Sequence, residues 1–118
     1  MFEAGDIREW RGRDVVDSGD HKIGKLESVY VDTGTDQPSF ATVTVGMLNH
    51  RRLVFVPLDN ATVGPAYLRV HYDKAQVKGA PSIDTDGELA ASREAAVFEH
   101  YGFVFHPGGG GERRLARR

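Results

Sequence analysis

Residues Asp14 to Asp32 read Asp-Val-Val-Asp-Ser-Gly-Asp-His-Lys-Ile-Gly-Lys-Leu-Glu-Ser-Val-Tyr-Val-Asp. A Gly-centred turn follows, then Phe-Ala-Thr-Val-Thr-Val-Gly at 40–46 and Arg-Arg-Leu-Val-Phe-Val-Pro-Leu at 51–58. Runs of β-formers punctuated by Gly, Pro, Asp and Ser clusters read as short strands joined by turns. Arg13 to Asp17 makes a first strand, and Ser18-Gly19-Asp20-His21 supplies residue types that tolerate positive φ in a hairpin. The second strand runs from Lys22 to Asp32, with Gly24 marking a bulge or sharp bend. Thr33 to Pro38 forms a turn. From Ser39 to Gly46 the alternation is clean, Ala41, Val43 and Val45 against Phe40, Thr42 and Thr44, which predicts a half-buried strand. Leu53, Val54, Phe55 and Val56 run without polar alternation, so that strand is buried on both faces, or has one face on the core and the other on a partner.

Working outward, Ala66 to Tyr72 gives one more strand, and Asp73 caps a single helical turn that ends before Gly79 and Pro81. Asp84 to Gly87 is a solvated connector. Glu88 to Tyr101 favours a helix in which Glu94, Phe98 and Tyr101 fall on one stripe, with Gly102 suited to the left-handed position after it. Phe98, Tyr101, Phe103 and Phe105 are too many aromatics to leave in water, and should dock on the strands or on another subunit. Upstream, Ile7 and Trp10 share one side of a short turn or helix within residues 1–12. Downstream, residues 107–118 carry four consecutive glycines and only Leu115 and Ala116 as apolar groups, which predicts a mobile basic tail.

The 118 residues fit one domain able to bury one modest core. Absence of cysteine removes disulfides, thiolate nucleophiles and Cys-ligated zinc. The start of the chain lacks a basic then apolar leader, and no apolar run approaches the roughly 20 residues of a membrane helix. A soluble cytoplasmic protein is the expectation. The formal charge of −2 hides an asymmetry: residues 107–118 hold four Arg and one Glu, net +3, which leaves −5 on the rest. An acidic body argues against nucleic acid as the main partner, because phosphate neutralisation dominates that binding.

No catalytic arrangement emerges. His21, His50, His71, His100 and His106 show no i, i+4 pair, and Asp84-Thr85-Asp86-Gly87 lacks the spacing and the final Glu of a calcium loop. There is no Gly-x-Ser-x-Gly, and the run Gly108 to Gly111 is neither a dinucleotide nor a Walker loop. Arg51 and Arg52 at a strand entrance, and Arg113, Arg114, Arg117 and Arg118 in the tail, read first as solvated surface; Arg51 and Arg52 are the candidate anion contacts.

The order of strands and turns from Asp14 to Ile83, with Ile23-Gly24-Lys25 in the second strand and a strand, short turn and proline at its end, resembles a PRC-barrel. Such domains occur in the H subunit of photosynthetic reaction centres, in the ribosome-maturation factor RimM, and in stand-alone prokaryotic proteins. An acidic link to a helix ending in Tyr101-Gly102-Phe103 is similar to the stand-alone members. The resemblance implies a mainly β fold: a small antiparallel PRC-type β-barrel over residues 13–83, then a linker and C-terminal α-helical extension at 84–106. It implies no shared active site, hence no enzyme and no cofactor.

The function expected is a non-catalytic binding or assembly module that forms a homodimer and contacts a protein partner. The physical motive is apolar surface needing cover, which nominates Leu53, Phe55, Phe98, Tyr101, Phe103 and Phe105 as the interaction surface. Two alternatives stand beside it: an RNA-linked accessory role by analogy with RimM, and a small apolar ligand held between barrel and helix.

Overall fold

The computed structural model describes residues 7–47, 50–106 and 113–117, with side chains from Glu9 onward. The elements in chain order are α1 (Ile7–Trp10), β1 (Asp14–Val16), β2 (Lys22–Asp32), β3 (Pro38–Val45), β4 (Arg52–Pro57), β5 (Thr62–Val63), β6 (Tyr67–Arg69), α2 (Lys74–Lys78), β7 (Ser82–Ile83), α3 (Glu94–His100) and β8 (Leu115–Arg117).

A single buried carboxylate shapes the first hairpin. Asp17 accepts hydrogen bonds from the backbone N–H groups of Gly19 and His21, both at 2.9 Å, and from that of Lys74 at 3.0 Å, so it ties the β1–β2 turn to the start of α2. Asp20 takes the positive φ of 67° that the turn requires. Burial pushes the Asp17 carboxyl up, but the N–H groups of His21, Lys74 and Gly19, with the His21 ring, outweigh it and hold the pKa below the ordinary carboxylate value.

β2 is the longest strand and organises the sheet. It pairs antiparallel with β1 through its first residues, with β3 along most of its length, and with β8 at Tyr30, Val31 and Asp32. Its register against β3 shifts between Leu26 and Ser28, and again between Tyr30 and Val31. At the first shift Thr42 Oγ1 accepts from the Ser28 N–H at 3.0 Å, so the break in the ladder leaves no orphan donor. Gly24 is required by closeness: a Cβ there would lie 2.1 Å from the Thr44 carbonyl oxygen of β3.

The hydrogen-bonded path is β5-β6-β1-β2-β3-β4-β7, with β8 joined to β2 beside it, and among the described residues its two ends are not bonded to each other. The fold is mainly β, as expected, but two details of the sequence reading are corrected. The pairing of β1 with β6 is parallel, Asp14 facing Tyr67 and Val16 facing Arg69, so the sheet is mixed rather than antiparallel. The segment read as a mobile tail supplies β8 through Leu115–Arg117. Residues 107–112 and Arg118 of that segment lie outside the described residues.

The core is filled from both faces of the central strands. Leu53, Val54, Phe55 and Val56 are all buried within the chain, and so are Phe40, Ala41, Thr42 and Val43 on β3. The strand expected to be half-buried is therefore covered on both sides. One cover is the C-terminal extension, which contributes Leu89, Val97, Tyr101 and Leu115 to the same core. α3 is shorter than the sequence pattern suggests, starting at Glu94 after a 3-10 turn at Ala91–Arg93.

Candidate functional site

The helix C-terminus builds the first half of the site. Gly102 adopts φ 78° after α3, and the Phe103 and Gly102 N–H groups donate to the carbonyls of Phe98 (3.0 Å) and Glu99 (3.0 Å). That is the paired bonding of a Schellman turn, which satisfies the last carbonyls and reverses the chain. The reversal brings Phe103 back to Phe40 of β3, which Phe98 and Tyr101 also meet, and sets Phe105 against Phe98. Phe40 of β3 meets Phe98 with centroids 5.2 Å apart and Phe103 at 6.4 Å; Tyr72 meets Tyr101 at 4.9 Å; Phe98 meets Phe105 at 5.1 Å. Tilted and edge-on rings at these separations are favourable beyond area burial. The Tyr101 hydroxyl donates to the Phe55 carbonyl at 2.5 Å, and Tyr72 donates to the Asp59 carboxylate at 3.0 Å. Burial, then the hydrogen bond and charge of Asp59, push Tyr72 up to about 12.

Of the six residues expected to form an interaction surface, the structure therefore separates two groups. Leu53 and Phe55 are core residues, Phe55 lying edge-on to Tyr30 at 5.0 Å, and are not surface. Leu53 pairs with Thr44 of β3 and Ile83 of β7, while the Phe55 ring meets Tyr30 and its carbonyl accepts from Tyr101. Tyr101 is buried beneath the seam. Phe98, Phe103 and Phe105 remain half-buried at its outer side, next to Val104, which is 75% exposed.

The second half of the site is the socket of β8. Glu94, at the first turn of α3, is 1% exposed, and its carboxylate accepts from the backbone N–H groups of Arg114 (2.9 Å) and Leu115 (2.7 Å). Arg114 Nε donates to Asp32 at 2.9 Å. Burial raises the Asp32 carboxyl, but the Arg114 guanidinium and the N–H groups of Gly34 and Thr35 hold it below the usual range. Arg113 Nη1 donates to the Leu89 carbonyl at 2.6 Å, Arg117 Nη1 to Gly87 at 3.1 Å, and the Leu115 side chain is completely buried. Glu94, Arg114 and Leu115 were not nominated from sequence. The available signal was Glu94 itself, a carboxylate on the apolar stripe with Phe98 and Tyr101.

Candidate anion contacts divide as well. Arg51 is exposed at the start of β4, whereas Arg52 Nη2 donates to the Lys78 carbonyl at 2.7 Å, capping the end of α2. His21 Nδ1 lies 3.2 Å from Asp17, and His100 Nε2 donates to the Gln76 carbonyl at 2.7 Å. Among the described residues no group of three His, Asp or Glu side chains gathers as a metal site. No helix among them is long and apolar enough to cross a membrane.

No curated protein matches the chain. A family model for the PRC-barrel domain matches residues 3–77, a span that begins inside the N-terminal segment and includes β1 to β6 and most of α2. With well over half of its length matched, and with the strand order from Asp14 onward described above, the chain belongs to the PRC-barrel family.

Proposed function

We propose that this chain is a non-catalytic binding and assembly module that works as a homodimer in the cytoplasm, with its curled sheet acting as a rigid PRC-type barrel scaffold. The observation that carries the reading is the aromatic seam. Its inner side, Phe40 and Tyr101, is buried by the chain itself, while Phe98, Phe103 and Phe105 stay half-covered around the exposed Val104. Contiguous apolar groups of this kind at the edge of a small domain mark an interaction surface. A second copy meeting it about a two-fold axis would present the same groups in return.

The RNA reading has less support, because the arginines that would neutralise phosphate are engaged within the chain: Arg113 with Leu89, Arg114 with Asp32, and Arg117 with Gly87.

Light scattering behind size exclusion tests the proposal on the full chain. Truncation after Pro81 would strip Leu89, Val97, Tyr101 and Leu115 from the core, so a point variant is the appropriate perturbation. Val104→Asp changes an exposed side chain and should leave the fold within about 0.5 kcal/mol, while converting a dimer to monomer. A full-length chain that stays a monodisperse monomer at high concentration refutes the homodimer.

A further inference from the structure

We propose that His21 is a phosphoryl-acceptor site, its Nε2 taking the group from an activated donor of the phosphoramidate or acyl phosphate class. The inference goes beyond the assembly reading and does not rest on it.

The ring is held from one side. Its Nδ1 lies 3.2 Å from both carboxylate oxygens of Asp17, and Asp17 is itself fixed by the backbone N–H groups of Gly19, His21 and Lys74. The Asp17 side chain is 5% exposed and that of His21 71%. Gly19 makes room for the contact, since a Cβ there would lie 3.1 Å from His21 Nδ1 and Cε1.

That geometry selects a tautomer. Asp17 is held below the ordinary carboxylate value and is ionised near neutral pH, and an ionised carboxylate only accepts. The proton between them therefore stays on Nδ1, and the neutral ring carries its lone pair on Nε2. A carboxylate behind a His also orients the ring and pushes electron density towards the far nitrogen. Among the described residues Nε2 has no hydrogen-bond partner.

The surroundings choose the electrophile. Among the described residues no second and third ligand gather for a metal ion. Ser18, Gly19, Asp20 and Lys22 are all exposed around the ring, so a reactant reaches it from solvent. An acyl group on so open an imidazole is soon lost to water, whereas a phosphoryl group carries its charge into solvent and persists at neutral and alkaline pH. Arg69 Nε donates to Asp20 at 3.0 Å, which offsets the carboxylate next to His21 and lessens repulsion of an anionic donor.

The step balances without a base. Nε2 bears no proton, so its lone pair forms the N–P bond directly. The bond from phosphorus to the leaving group breaks, and ammonia or a carboxylate departs with the electron pair. The ring becomes a phosphoimidazolium whose charge is met by Asp17 through the retained Nδ1–H.

The full-length chain is incubated with phosphoramidate at neutral pH, and fragmentation mass spectrometry with phosphorus NMR assigns the residue and the nitrogen. His50, His71 and His106 are exposed and serve as references within the same molecule. We expect His21 to react at Nε2 about 3- to 10-fold faster than these three, the factor that one hydrogen bond is worth, and the His21→Gln chain to lose that product. Gly19 has no positive φ, so Gly19→Ala keeps the turn while its Cβ displaces the ring from Asp17, and should remove the advantage. A rate at His21 no higher than at the reference histidines, attachment at Nδ1, or an undiminished advantage in Gly19→Ala overturns the proposal. The comparison within the unaltered chain depends on no variant.

Discussion

Replacing Leu115 by Ala asks whether the C-terminal strand belongs to the core. The side chain is fully buried, and the substitution removes three carbons. At about 0.8 kcal/mol per buried methylene the transfer loss is roughly 2.4 kcal/mol. Incomplete collapse around the vacated space brings Leu-to-Ala changes to about 2–5 kcal/mol. An upper limit comes from the strand itself: once the cost exceeds the docking free energy of β8, the strand lets go, and the loss stops there. We expect about 2–4 kcal/mol in urea unfolding, with a melting temperature lower by roughly 10 °C for a domain of this size. If β8 is released, the m-value falls too, because less surface remains to be exposed on unfolding, and the amides of Leu115 to Arg117 lose protection from hydrogen exchange. Running the titration at two protein concentrations separates the proposed homodimer, whose midpoint depends on concentration, from the single chain. A change within about 0.5 kcal/mol, the usual result at an exposed position, would refute the placement of Leu115.

Gly24→Ala should cost at least about 2 kcal/mol, since the added Cβ meets the Thr44 carbonyl oxygen at 2.1 Å and Val43 Cγ1 at 2.9 Å and only separation of β2 from β3 relieves it; an unchanged urea midpoint would show that the strands have room to part. Acid should destabilise the fold. Asp14, Asp17 and Asp32 all have folded-state pKa values below the unfolded value of about 3.9, so the stability they confer is complete above that value and is lost as pH falls through the folded pKa values. The urea midpoint should hold from neutral pH to about pH 5 and decline below about pH 4, with a shallower decline in Asp17→Asn; identical acid limbs for the two proteins would count against the role given to Asp17.

The strands from Asp14 to Pro57 were legible because β-formers recur there between strong punctuators, and Lys22 to Asp32 was bounded to the residue by Asp20-His21 on one side and the Thr33-Gly34 turn on the other. Asp73 as a helix cap was equally readable, its side chain accepting from the Gln76 N–H. β8 was not readable. Leu115-Ala116-Arg117 offers one large apolar residue among arginines, and what makes it a strand is a partner far away in sequence and a buried Glu94 that no periodicity reveals as a receptor for backbone N–H groups. The parallel β1–β6 pair was hidden for the same reason, since alternation within a strand carries no direction for its neighbour. In the candidate site, Phe98, Phe103 and Phe105 were singled out by their excess of rings over available cover, and the structure leaves them half-buried; their part in an interaction surface belongs to the proposal above. Leu53 and Phe55 were misplaced because an unbroken apolar strand looks alike whether its second face meets another molecule or the chain itself, as Phe55 meets Tyr30.

The Asp32–Arg114 pair joins residues 82 apart in sequence, and that distance is also a delay. At about 5–20 residues per second, the ribosome needs roughly 4–16 s to make the intervening chain. Until it ends, the side of β2 at Tyr30 and Val31 that faces away from β3 has no strand beside it, although β3 and β4 are made well before Arg114 and shape the other side of the sheet. Nascent chains on one messenger RNA are held close together, each with the same open edge, and open edges pair with one another. Asp32 sits at the end of that edge with a charge that another copy of itself repels. The carboxylate that finally anchors Arg114 thus guards the growing polypeptide first, and becomes an anchor only when its arginine has been synthesised.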